Sequence, residues 1–197
     1  MANARETPER IGIFGGTFDP VHIGHLVAAL SSLHQLRLDR VMLVVAGAPW
    51  MKAGQVVAPP DARVEMVAAA IEGVEGLEVS TIEVDRPGPT YSYETVEGLT
   101  APDRSLYLIV GNDVVAKLDQ WHRSEELRKK VTLAVVGREG ERVHAPAAWR
   151  AESVTMPRLD ISSSELRQRL ARGEPTEFLI PPGAMHVIEK RRLYTPA

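Results

Sequence analysis

The chain has 197 residues, no cysteine and a formal net charge of −3, with 44% hydrophobic and 25% charged residues. Such a composition suits a globular domain that buries its core without covalent staples, and it excludes disulfides and thiolate metal sites. The acidic balance offers no general attraction to nucleic acid, and no apolar run approaches the roughly 18 residues that span a membrane.

Residues 1–9 are polar and lack the apolar centre of a signal peptide, so a flexible N-terminal tail is expected there, with residues 10–197 forming one domain. A cytoplasmic enzyme or binding protein is the class these features imply. "RIGIFGG" at residues 10–16 is a short apolar run stopped by paired glycines, as in a buried strand. From Gly24 onward Leu26, Ala29, Leu30, Leu33 and Leu36 recur at helical spacing. "DRVMLVVAG" at 39–47 reads as a strand covered on both faces and leads into a loop over 48–60. "DARVEMVAAAIEG" predicts a helix capped by Asp61 and stopped at Gly73.

The second half continues the alternation. A strand is expected in "LEVSTIEVD" (77–85), a short helix in "SYETVEGL" (92–99) and a buried strand in "SLYLIVGND" (105–113). "DVVAKLDQW" (113–121) and "SEELRKK" (124–130) read as helices, and "VTLAVVG" (131–137) as a strand. The aperiodic stretch 138–153 predicts a surface loop, "VTMP" (154–157) a last short strand, and "SSELRQRLARG" (163–173) a helix with both its start and its Gly stop visible. "PPGAMHVIEKRRLY" (181–194) suggests a final helix beginning at a proline pair. The basic clusters "LRKKV" and "EKRRLY" read as solvated helix ends. Continuously apolar strands alternating with helices imply a single doubly wound α/β domain, a parallel sheet with helices on both faces.

In such a sheet ligands bind outside the carboxyl ends of the strands. Three of those ends carry polar or glycine-rich sequence, "GGTFDP", "AGAPWMK" and "GND", and should lie along one rim. Gly15 and Gly16 let backbone amides approach an anion, and the helix start beyond them favours negative charge. The loop is neither a Walker A sequence nor the dinucleotide fingerprint. His22 and His25 open the helix three residues apart and can share a face. A metal pair would need a third ligand, and none has ligand spacing, so no metal-ligating residue is assigned. Phosphate binding is the reading preferred for the pair, against one His capping the helix and the other packing. Asp19 reads as a turn residue before Pro20. His34, His122, His144 and His186 show no partner pattern and are expected to be structural or exposed.

"GGTFDPVHIGHL" at 15–26 resembles the N-terminal motif of the HxGH nucleotidyltransferases, and "ISSSELR" at 161–167 resembles their C-terminal signature. Class I aminoacyl-tRNA synthetases share the H-I-G-H tetrapeptide, but no K-M-S-K-S loop or tRNA domain is present. "PWMK" (49–52), "RPGPTYSYETV" (86–96) and "GNDVVAKLDQWHRSEEL" (111–127) are similar to bacterial nicotinate mononucleotide adenylyltransferases. The likeness extends from the first strand to the closing "RRLY". The chain departs from the usual pattern at Ser164, Met51 and Asn112.

The resemblance implies a Rossmann-like nucleotidyltransferase fold and adenylyl transfer from ATP, with magnesium, to nicotinate mononucleotide, giving deamido-NAD and pyrophosphate in NAD biosynthesis. Catalytic roles fall on His22, His25, Lys52 and Arg167. ATP contacts are expected from Gly15, Gly16, Thr17, Phe18, His22, His25, Asp113, Ile161, Ser162, Ser163 and Arg167. The mononucleotide is expected to meet Thr17, Lys52, Thr90, Tyr91 and Trp121. ATP and the mononucleotide are then the partners, with neither nucleic acid nor membrane, and a homo-oligomer is left open. The sequence alone leaves two alternatives: an adenylyltransferase using nicotinamide mononucleotide or phosphopantetheine, and a non-catalytic nucleotide-binding regulatory module.

Overall fold

A computed structural model describes residues 7–48, 58–138 and 147–195. Six parallel strands form one sheet: β1 (Glu9–Gly16), β2 (Arg40–Val45), β3 (Leu77–Ser80), β4 (Arg104–Gly111), β5 (Val131–Arg138) and β6 (Ala151–Met156). Their order is β3-β2-β1-β4-β5-β6, so the winding reverses between β1 and β4 and a crevice opens there at the carboxyl ends. Two apolar cores flank the sheet, as the doubly wound expectation requires. One gathers Leu43, Met66, Leu166 and Val187, the other Ile13, Val96, Leu127 and Leu133.

The helices are α1 (Ile23–Gln35), α2 (Pro60–Ala70), α3 (Ser92–Leu99), α4 (Asn112–Val115), α5 (Ser124–Lys130), α6 (Ser163–Arg172) and α7 (Pro182–Arg191). α6 starts and stops where the sequence says. Ser162 accepts a hydrogen bond from the Glu165 N–H, and Gly173 closes the helix at φ +67°. In α2 the cap is Pro59 rather than Asp61, because Pro60 takes the first helical position, where a missing N–H costs nothing. That helix ends at Ala70, and Gly73 belongs to the turn beyond. The basic "EKRRLY" end is not merely solvated: Lys190 and Arg191 bind Glu65, and Arg191 also binds Asp61, which fastens α7 to α2. Lys130 likewise pairs with Glu97.

Three expected elements are shorter or differently placed. β3 pairs with β2 only to Ser80, and the chain then turns, with Asp85 N–H on the Thr81 carbonyl and Thr81 Oγ1 on Asp85 Oδ2. That turn brings Glu83 inward. The run 113–121 is not one helix. α4 stops after four residues and a 3-10 turn follows at Leu118–Gln120, so Leu118 is buried while Trp121 reaches the crevice. The expected surface loop at 138–153 yields its last three residues to β6, and Trp149 is buried in the second core. Residues 139–146, with His144, lie outside the described residues.

Candidate active site

Two adjoining cavities occupy the rim at the β1/β4 crevice, sharing Phe14 and Gly111 in their walls. The first, about 270 Å³, is walled by Gly15, Gly16 and Thr17 after β1, Ala46 after β2, and Glu83, Thr90, Tyr91, Trp121 and His122. The second, about 490 Å³, is walled by His22, Gly24, His25, Asn112, Asp113 and Ile161, among others. Strand ends far apart in sequence are thus joined in one composite site.

The H-I-G-H turn shows why each of its residues is there. His22 is the N-cap of α1, and its N–H donates to His25 Nδ1 at 3.2 Å, so His25 reaches back as a capping-box residue. The two rings stack with centroids 3.7 Å apart, and Phe18 meets His25 edge-on at 5.0 Å. A Cβ on Gly24 would stand 3.0 Å from the His22 ring, tighter than side chains normally pack. Capping and cavity lining are therefore one arrangement. With Nδ1 accepting, the neutral His25 ring carries its proton on Nε2.

The glycine turn is built as tightly. Phe18, fully buried at φ +49°, folds back so that a Cβ on Gly16 would come 2.7 Å from its ring. Asp19 precedes Pro20 through a cis peptide bond and does more than make a turn. It is 2% exposed and accepts from the Tyr194 hydroxyl at 2.6 Å and the Ala58 N–H at 3.1 Å. Arg167 donates to the Asp19 carbonyl at 2.7 Å and lies 3.6 Å from Asp19 Oδ2, while the Ser163 hydroxyl donates to the Pro20 carbonyl. Ser163 and Arg167 thus grip the turn before His22 and line neither cavity. Ile161 lines the second cavity, and Ser162 caps α6 beside it.

Asp113 stands in the second cavity just past β4, and a Cβ on Gly111 would come within 2.5 Å of its Oδ1. Thr90, Tyr91 and Trp121 come together in the first cavity. Among the described residues, Thr90 Oγ1 and Trp121 Nε1 are buried without hydrogen-bond partners. Lys52, with the rest of "PWMK", lies outside the described residues.

Two wall residues escaped the sequence reading. His122 is exposed, as expected, and it also lines the first cavity, its ring tilted against Tyr91 with centroids 4.6 Å apart and Nε2 3.4 Å from Glu94 Oε1. Its place beside Trp121 was the available signal. Glu83 is 8% exposed and accepts from the Thr95 hydroxyl at 2.7 Å. The strand reading of 77–85 hid it. Among the described residues no three His, Asp or Glu side chains converge as a metal cage, and no helix is long and apolar enough to cross a membrane.

Comparison with known proteins bears on what this site does. A family model described as cytidylyltransferase-like matches residues 13–169. A protein of Acidothermus cellulolyticus named "Probable nicotinate-nucleotide adenylyltransferase" is 40% identical over 197 aligned positions that cover 94% of each chain. One of the same name from Roseiflexus is 40% identical over 193 positions, covering 93% of this chain and 97% of its own. The solved structure of a Plasmodium falciparum nicotinic acid mononucleotide adenylyltransferase superposes with a TM-score of 0.74 at 19% identity, covering 94% of this chain and 97% of that one.

Proposed function

The chain belongs to the cytidylyltransferase-like family, among the nicotinate-nucleotide adenylyltransferases, and from that premise we propose how its two cavities divide the reaction. It is a nucleotidyltransferase of NAD biosynthesis. The substrate ATP enters as its magnesium complex and occupies the cavity of His22, His25 and Asp113. Magnesium is carried by phosphate oxygens and water, as suits an ion that gives up its hydration reluctantly. Nicotinate mononucleotide occupies the cavity of Thr90, Tyr91 and Trp121.

The observation that carries this division is that Thr90 and Trp121 line a largely apolar slot and that, among the described residues, Thr90 Oγ1 and Trp121 Nε1 have no hydrogen-bond partner. A flat ring bearing an acceptor fits such a slot, since indole offers a face to stack on and an N–H that only donates. Glu83 in the same wall is already engaged by Thr95.

The attacking group is the mononucleotide's own phosphate, whose second pKa of about 6 leaves it mostly dianionic at neutral pH. Its oxygen bonds to the α-phosphorus as the bond from that phosphorus to the β-bridging oxygen breaks, and pyrophosphate departs with the electron pair. No general base is needed. The chain's work is to position two anions and to offer donors to the charge on the transferring phosphoryl group. His25 Nε2–H supplies such a donor in the second cavity, with the His22 ring stacked against it. The amides of Gly15, Gly16 and Thr17, which line the first cavity, add others, while Phe18 is fully buried and backs the turn. Asp113 accepts from the ATP ribose, while Ser163 and Arg167 act through the 19–20 turn they hold ahead of His22. Lys52 is assigned to phosphate from the sequence alone.

Pyrophosphate release measured with magnesium-ATP and each acceptor in turn tests this. Turnover is expected with nicotinate mononucleotide well above nicotinamide mononucleotide and absent with phosphopantetheine. Turnover with phosphopantetheine alone would overturn the acceptor assignment. ATP binding without pyrophosphate from any acceptor would identify a regulatory module.

A further inference from the structure

Arg63 is the largest fully buried side chain of the described residues, 1% exposed, and it lies in α2 and lines neither cavity itself. Burying an ionised guanidinium is costly unless its donors are satisfied. Here they are satisfied by backbone carbonyls: Thr17 O at 2.9 Å, Ala46 O at 2.7 Å, Ala58 O at 3.1 Å and Gly47 O at 3.4 Å. Its countercharge is the nearby Asp19 carboxylate, although burial still holds its pKa below the ordinary arginine value.

These carbonyls belong to the segments that follow β1 and β2 and to the residue that leads into α2. Thr17 and Ala46 line the first cavity directly. Ala48, two residues on, accepts from the Thr90 N–H at 3.4 Å, which ties a third wall segment to the same turn. No residue of the second cavity's wall bonds Arg63. We propose that Arg63 is a positioning residue for the acceptor: its planar fork of donors sets the spacing of the Thr17, Ala46 and Thr90 walls and so the fit of the mononucleotide. Lysine, whose donors all sit on one nitrogen, cannot reproduce the reach of Nε, Nη1 and Nη2 to carbonyls on three separate segments.

This inference rests on the first cavity being the acceptor's. The test is steady-state kinetics of the full-length Arg63→Lys variant against both substrates, with far-ultraviolet circular dichroism and melting recorded alongside. Arg191→Ala serves as a control, since it loosens α7 from α2 without touching either wall. The expected result is an acceptor KM raised about tenfold, with the KM for ATP within twofold of wild type. Arg191→Ala should lower the melting temperature and leave both KM values alone. An Arg63→Lys enzyme with unchanged acceptor KM, or with both KM values raised equally, would overturn the positioning role. If that variant does not fold, Arg63→Gln and wild-type amide shifts decide: the Thr17, Ala46 and Thr90 amides must move when nicotinate mononucleotide is added, and their stillness would overturn the proposal. Absence of turnover in the wild type with nicotinate mononucleotide would instead refute the assignment of function, so the two failures are distinguishable.

Discussion

The Tyr194 hydroxyl donates a 2.6 Å hydrogen bond to Asp19 Oδ1, joining the end of the chain to the turn that delivers His22. Both residues are buried, Tyr194 at 8% and Asp19 at 2% exposure. The bond lies 175 residues apart in sequence and closes the first motif against the last segment. Burial, and then the bond to Asp19, push the tyrosine's pKa well above its usual 10.0.

Tyr194→Phe should therefore cost about 2 kcal/mol of stability at neutral pH, the usual worth of a hydrogen bond to a charged group. A raised folded-state pKa means the contribution is whole below pH of about 10, where the unfolded tyrosine is still protonated. It is lost as pH climbs from there toward the folded value. Urea unfolding of both proteins from neutral pH to about pH 11 should show the wild-type advantage shrinking in that upper range. A gap that stays constant would contradict the buried bond. Turnover of the folded variant should fall by less than tenfold, because Tyr194 lines neither cavity.

Gly111 has a more local consequence. Since a Cβ there would come 2.5 Å from Asp113 Oδ1, alanine must displace that carboxylate. Gly111→Ala and Asp113→Ala should therefore share a defect, a KM for ATP raised about tenfold, as losing one charge-assisted hydrogen bond implies. Initial-rate kinetics at fixed acceptor would check it. An unchanged KM in Gly111→Ala would mean that Asp113 does not meet the nucleotide.

Elements whose cause is local were readable from the sequence. β1, β2, β4 and β5 are apolar runs because both faces are covered, and α6 carries its own Ser162 cap and Gly173 stop. The rim followed from topology, since parallel strands put "GGTFDP" and "GND" at one end. What stayed hidden depends on contacts across the chain. Asp19 looked like a turn residue because Tyr194, Ala58 and Arg167 reach it from the far segments. Arg63 carries no local signal within "DARVEMVAAAIEG", since its bonds run to three segments that only the fold brings together. Glu83 was concealed because β3 pairs for four residues and then turns, a break that strand propensity does not signal. His22 and His25 carried the opposite lesson. The sequence sets capping against phosphate binding, whereas the 3.2 Å bond to His25 Nδ1 shows that a capping residue also lines the cavity, so the two roles do not compete.

The His25 donor is the centre of the mechanism, and His25→Ala tests it most directly. The variant loses one capping bond of a 13-residue helix and one wall residue of the second cavity but none of the first, so its circular dichroism and its acceptor binding should stay close to the wild type. Pyrophosphate release at saturating magnesium-ATP and nicotinate mononucleotide should fall by about 100-fold or more, the scale on which losing one preorganised donor to a transition state is felt. A kcat within a few-fold of the wild type would contradict the role assigned to His25 and, with it, the placement of ATP in the second cavity.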